Sequence, residues 1–316
     1  MKKRDLRGGE LLSLEFVVTP ENEILCKNFK EGNYKIIEGN NPESKLCYVF
    51  FSGNGIYWPN TVDIFRQTID TDYYEWKKTA CSEYILNRVA RIILVRDLFK
   101  TWYLAGINKE YDSIEKVCFL LQKLTMGYKV VTIGNSAGGY MASIVGAYLN
   151  AEHVLNFGGQ WTLKDELKEE NINKNYFLKK GMKEEDINKW FDILDYVGNT
   201  VPIFWFYSYY CENDKIQADY YKKYKKKGNI YDFAINSSAH GYLMLRECND
   251  IIISKETEEL LQLHKRYENK VIHMLEMAWS TLPFKRFYKA FWEYVEERHK
   301  SIQIIRRFFM RIRRVV

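Results

Sequence analysis

Histidine is scarce in this chain, with five residues among 316. Chemistry that needs an imidazole therefore has few places to reside. The six cysteines (Cys26, Cys47, Cys81, Cys118, Cys211, Cys248) are scattered and form no Cys-x-x-Cys pair. No metal cluster is expected from them, and buried free thiols in a reducing compartment are the simplest expectation. No apolar run is long enough to cross a bilayer. Met1-Lys2-Lys3-Arg4 leads into no apolar stretch, because Glu10 and Glu15 interrupt the next segment, so no signal peptide is expected and the cytoplasm is the default. A net charge of +6 is too small to argue for nucleic acid. The phosphate-loop lysine and the dinucleotide-turn spacing are both missing, and no cofactor is expected. There is no internal repeat and no low-complexity linker.

What is present suits a large α/β domain: 47% hydrophobic and 28% charged residues over 316 positions. Aromatics make up 16%, with 24 tyrosines, enough for a filled core and for a cleft that stacks on sugar rings or holds acyl chains. One stretch organises the rest. Lys129 to Asn135 reads as a buried strand, Gly134-Asn135-Ser136-Ala137-Gly138 as a sharp turn, and Ala137 to Leu149 as a helix of small residues. The turn fits Gly-x-Ser-x-Gly, in which the flanking glycines Gly134 and Gly138 make room for a strained serine whose hydroxyl stands clear of the sheet. The helix N-terminus then points at that serine.

Around this stretch, strands alternate with helices. Leu46 to Phe51, Arg91 to Val95, His153 to Phe157, Pro202 to Tyr207 and Asn229 to Ile235 read as buried strands, and Tyr111 to Leu124 and Lys215 to Lys225 as helices. The alternation predicts a mostly parallel sheet with helices on both faces. Leu14 to Val18 and Tyr34 to Glu38 read as an opening antiparallel hairpin. Lys164 to Tyr196 is a charged insertion of helices, placed as a cap. Everything after Asp250 reads as helical: Ile251 to Met277 as one long segment, and Phe284 to Val316 as a second that ends in Arg306, Arg307, Arg311, Arg313 and Arg314.

A serine hydroxyl needs a base to become a nucleophile. His240 lies in a loop just after the last expected strand. His153 begins a strand, and His264, His273 and His299 fall in the C-terminal helices. An imidazole in turn needs an acid to fix its tautomer. Asp214 lies just beyond the strand ending at Tyr207, with Asp219 and Glu212 as rivals. The order Ser136, Asp214, His240 puts each residue in a loop at a strand's C-terminal end. The oxyanion donors expected are the N–H of Ala137 and one from Ser52-Gly53-Asn54-Gly55, with Asn54 preferred and Gly53 or Gly55 able to serve.

These motifs resemble the α/β-hydrolase fold of serine hydrolases over residues 46–243. More loosely, Phe51 to Gly55, Asp97 with Trp102 to Gly106, Gly134 to Gly139 and Phe157 to Trp161 resemble hydrolase-fold proteins of bacterial capsule and surface-glycan gene clusters. With the charge and periodicity above, the expected organisation is an α/β-hydrolase domain over 1–250 with a cap-like insertion at about 162–198, and a helical C-terminal extension over 251–316. The resemblance implies an acyl ester on a sugar as substrate, removed by water or moved to another hydroxyl. The His-Gly-Gly-Gly loop of common esterases is missing. The basic C-terminal helix suggests a second reading, a non-catalytic protein of glycan assembly that contacts an anionic membrane surface or a glycosyltransferase.

Overall fold

The computed structural model describes residues 18–168, 175–197, 199, 201–224, 228–241 and 243–298. Its centre is an eight-stranded sheet: β1 (Tyr34–Glu38), β2 (Leu46–Phe51), β3 (Arg91–Val95), β4 (Lys129–Asn135), β5 (His153–Phe157), β6 (Ile203–Ser208), β7 (Ile230–Ile235) and β8 (Val271–Ile272). The spatial order is β1-β3-β2-β4-β5-β6-β7-β8. Only the β1–β3 pair is antiparallel, and every other neighbouring pair is parallel.

Side chains alternate between the two faces of each strand, and the two faces are packed separately. Cys47, Val49 and Phe51 of β2 point into one core with the helices Ile114–Leu124 and Ala137–Leu149. Tyr48 and Phe50 point into the other, where they join Leu260, Leu263, Met274, Met277 and Leu282. The C-terminal segment expected as an extension thus shares the apolar cover of the sheet's second face with Tyr74, Ala80, Ile85 and Val89. A mostly parallel sheet covered on both faces, with a strand–serine–helix turn at its C-terminal edge, is the α/β-hydrolase fold.

Several local expectations change. The strand at Leu14 to Val18 lies outside the described residues except for Val18, which is in no strand. Glu23–Asn28 is a helix capped by Asn22, whose side chain accepts from the N–H groups of Ile24 and Leu25. β1 pairs with β3, and the segment before it holds this helix and no strand between residues 18 and 33. The stretch Ile251 to Met277 is not one helix. Helix Asn249–Ile253 stops, Glu256 and Glu259 form a capping box that starts Thr257–Tyr267, and β-branched Val271–Ile272 then adds to β7. Helix Met274–Thr281 comes next, with Phe284–Arg298 after it. The arginine-rich residues from 299 onward, and His299 with them, lie outside the described residues. No helix among the described residues is long and apolar enough to cross a membrane.

Candidate active site

The loops at the C-terminal ends of β2 to β7 gather at one end of the sheet. β4 ends in the turn at Ser136, whose φ of 50° and ψ of −124° are costly for any residue with a side chain. The neighbours hold it there. A Cβ on Gly134 would lie 2.1 Å from the carbonyl oxygen of Gly138, and one on Gly138 would lie 2.2 Å from that of Phe51. Only glycine permits such contact. The Ser136 N–H donates to the Phe157 carbonyl at the end of β5 (2.8 Å), which fixes the turn against the next strand.

His240 sits in the turn after β7. Its Nε2 is 2.8 Å from Ser136 Oγ, and its Nδ1 is 2.5 Å from Asp214 Oδ1. The other oxygen of Asp214 accepts from the Ser208 N–H (2.8 Å), so the buried carboxylate is held at both ends. Ser208 Oγ donates to the Ala239 carbonyl (2.8 Å) and ties the histidine turn to β6. The Asp214 carboxylate raises His240 above its ordinary 6.5, against the lowering effect of burial, and Glu166 adds a smaller push upward. Gly158 beside the ring has a φ of +67°, a left-handed conformation that favours glycine.

The structure brings Ser136, His240 and Asp214 together. Asp214 lies not in a loop but in the first turn of helix Glu212–Tyr224, which begins only four residues after β6. Glu212 and Asp219 face a separate cavity of about 450 Å³ beside Tyr207, Tyr209 and Tyr210. The remaining described histidines have other partners. His153 is buried and hydrogen-bonded to Thr257, His264 packs on the rings of Tyr231 and Phe233, and His273 caps helix Met274–Thr281.

Cys211 Sγ, an Asp214 oxygen and a His240 nitrogen lie within 4.8 Å of one another, a donor set that metals accept. Both Asp214 oxygens and His240 Nδ1 are already committed to hydrogen bonds, and Nε2 to Ser136, so the arrangement fits a hydrogen-bonded relay better than a metal centre.

On the anion-binding side, Ala137 opens its helix, so its N–H has no intrahelical acceptor. The loop after β2 differs from expectation. The Gly53 N–H donates to Glu75 Oε2 (2.7 Å) and is not free to bind an oxyanion. Asn54 and Gly55 remain from the expected set. Sequence reasoning missed Glu75 altogether. It also missed why Asp97 matters: that buried carboxylate accepts from the N–H groups of Phe99, Thr101 and Tyr103 and organises a loop in which Lys100, Trp102 and Tyr103 all have positive φ. Tyr103 then donates to the Ser52 carbonyl (2.8 Å), and Trp102 to Gln160 (3.1 Å). The short segments that carry the glycan-cluster resemblance are thus bonded to one another around the serine.

The charged insertion is anchored near this end of the sheet. Tyr140 in the helix after Ser136 bonds the Trp190 carbonyl, Lys189 and Trp190 both reach Glu115, and Phe177 packs on Phe99 at 4.8 Å. A cavity of about 280 Å³ adjoins the serine turn, lined by Glu75, Trp76, Asn135, Phe157, Gly241 and Arg246 among others. A larger one, about 480 Å³, lies at the opposite strand ends beside Leu46, Lys129 and His153. Ligands of open α/β sheets bind outside the carboxyl ends of the strands, and neither of these two cavities is lined by Ser136 or His240.

No protein-family model matches the chain, and neither does any curated protein sequence. Among solved structures, similar ones include the capsule O-acetyltransferase of Neisseria meningitidis serogroup A, 14% identical with a TM-score of 0.46 over 77% of this chain and 97% of that one. MenH from S. aureus is 11% identical with a TM-score of 0.43, covering 74% and 100%. An esterase of Pyrobaculum calidifontis is 14% identical with a TM-score of 0.40, covering 77% and 87%. With TM-scores below 0.5 and identities of 11–14%, these likenesses carry no argument about the activity of this chain.

Proposed function

We propose that this chain is a serine esterase that acts on an acyl ester, with an O-acetyl group on a bacterial glycan as the substrate class. The observation that carries the proposal is the serine–imidazole–carboxylate line: Ser136 Oγ at 2.8 Å from His240 Nε2, and His240 Nδ1 on the buried Asp214. Ser136 Oγ attacks the ester carbonyl carbon while its proton passes to His240 Nε2. Asp214 stabilises the imidazolium that results. The developing oxyanion is received by the Ala137 N–H and by an N–H of the Asn54–Gly55 loop. The intermediate then expels the sugar oxygen, which takes the proton from His240 and leaves an acyl-serine. Water, activated by the same imidazole, frees the acid.

The glycan part of the proposal rests on the motif resemblance and on Tyr209 and Tyr210, exposed tyrosines beside the Asp214 helix that offer faces for sugar rings. The experiment is to incubate the protein with p-nitrophenyl acetate and with an O-acetylated oligosaccharide, with and without an unacetylated sugar acceptor. Acetate release that is lost in Ser136→Ala supports the esterase. Acetyl found on the added acceptor instead assigns the same residues to an acyltransferase. No turnover of either ester by folded protein contradicts both and favours an interaction protein.

A further inference from the structure

We infer that Glu75 is a positioning residue that clamps the oxyanion loop to the serine turn. This rests on the esterase reading for its catalytic consequence, and on geometry alone for the clamp. Glu75 Oε2 accepts from the Gly53 N–H (2.7 Å) and Oε1 from Asn135 Nδ2 (2.9 Å). Gly53 belongs to the loop after β2, and Asn135 is the residue before Ser136. One carboxylate therefore bridges the two backbone segments that must present oxyanion donors at a fixed spacing. Its neighbour strengthens the link, because Trp76 Nε1 donates to the carbonyl of Phe51, the last residue of β2 (2.9 Å).

The spacing that this bridge holds is tight. A Cβ on Gly53 would lie 2.9 Å from the Asn135 carbonyl oxygen, so the loop backbone rests directly on the turn. With the Gly53 N–H committed to Glu75, the donors left in the loop are those of Asn54 and Gly55, one and two residues further on. Their direction depends on where Gly53 is held. Burial favours the neutral form of Glu75 and raises it above its ordinary 4.5, while the two N–H donors oppose that shift. Two donors on two oxygens call for a carboxylate. An amide in its place has one acceptor oxygen and would turn its own NH₂ toward the second donor.

The clamp predicts distinct behaviour for Glu75→Gln and Glu75→Ala. Hydrogen exchange of residues 52–55 should speed up about tenfold or more in both variants, while exchange in the strands stays unchanged. With p-nitrophenyl acetate, kcat should fall about tenfold to hundredfold and KM should hold within about twofold. A mispositioned donor costs less than the ~10²–10³ of a deleted one, and it weakens only the transition state. Unchanged exchange at 52–55 overturns the clamp. Faster exchange with unchanged kcat overturns the positioning role, and so does a raised KM with kcat preserved, which would make Glu75 a substrate contact. If the wild type turns over no ester, the exchange measurement still decides the clamp while the esterase reading fails separately. Should circular dichroism show both variants unfolded, Asn135→Ser removes one of the two bonds and is expected to give the same exchange signature at smaller amplitude. Its absence there would overturn the inference.

Discussion

Ser136 holds a backbone conformation that only glycine adopts without strain. Replacing it separates stability from chemistry. Ser136→Gly should be more stable than Ser136→Ala by about 1 kcal/mol in urea unfolding, the reverse of the usual order of these residues, because glycine relieves a strain of order 1–3 kcal/mol. Equal stabilities would show that the turn is not strained. His240 gives a second residue-scale prediction. The proposed reaction needs its neutral form, and Asp214 raises its titration, so the rate on an ester should climb with pH through a midpoint above 6.5. Asp214→Asn should pull that midpoint down and cut kcat by about 10³–10⁴. A midpoint unmoved in Asp214→Asn would separate the two residues functionally.

At this scale the sequence is informative where chemistry is local. Ser136 sits in its own glycine signature, and with five histidines to choose from, position after a strand singled out His240. Glu75 left no such trace. Its bonds reach 22 residues back and 60 forward, from a segment with no periodicity of its own. Gly53 likewise looked like a donor, because a glycine in a loop gives no sign of what already occupies its N–H.

Among elements, the strand–turn–helix unit of β4 and Ala137–Leu149 is the most demanding. Gly138 and Gly146 are both tightly enclosed, but by different neighbours. A Cβ at Gly138 meets backbone at the end of β2 beside the serine, whereas one at Gly146 meets the buried β-branched side chains of Val154 (2.3 Å) and Thr132 (2.7 Å) farther along the helix, which yield only under strain. Gly138→Ala should therefore abolish ester turnover along with a large loss of stability, while Gly146→Ala should cost about 1–3 kcal/mol, the usual cost of overpacking, and keep the activity. Thermal melts and turnover of the two variants together check this, and equal effects would contradict the packing described. The strand–helix alternation from β2 to β7 was legible from apolar runs of the right length. Val271–Ile272 was not: two β-branched residues between helical patterns carry no period, and only the open edge of β7 makes them a strand.

For the molecule as a whole, the C-terminal helices through Leu282 complete the core on one face of the sheet, so stability is shared between the serine-bearing strands and residues far along the chain. His153 couples this fold to pH. It is buried at the start of β5, and burial lowers it from 6.5 to about 3. The unfolded chain therefore binds a proton that the folded chain refuses between those values, and stability falls as pH falls. At pH 4.5 the loss from this residue is about 3 kcal/mol. His153→Gln should lose about that much less than wild type between pH 7 and 4.5 in urea titrations, and identical slopes would contradict the assignment.

An activated serine separates a working hydrolase from a fold without chemistry. Covalent labelling with a fluorophosphonate reads it out, by mass spectrometry of the modified peptide, for the wild type beside Ser136→Ala and His240→Ala. The serine–imidazole–carboxylate line predicts one label, on Ser136. It should be absent in Ser136→Ala and slowed by orders of magnitude in His240→Ala. A folded wild type that takes no label, or takes it on another residue, would contradict this reading of the site.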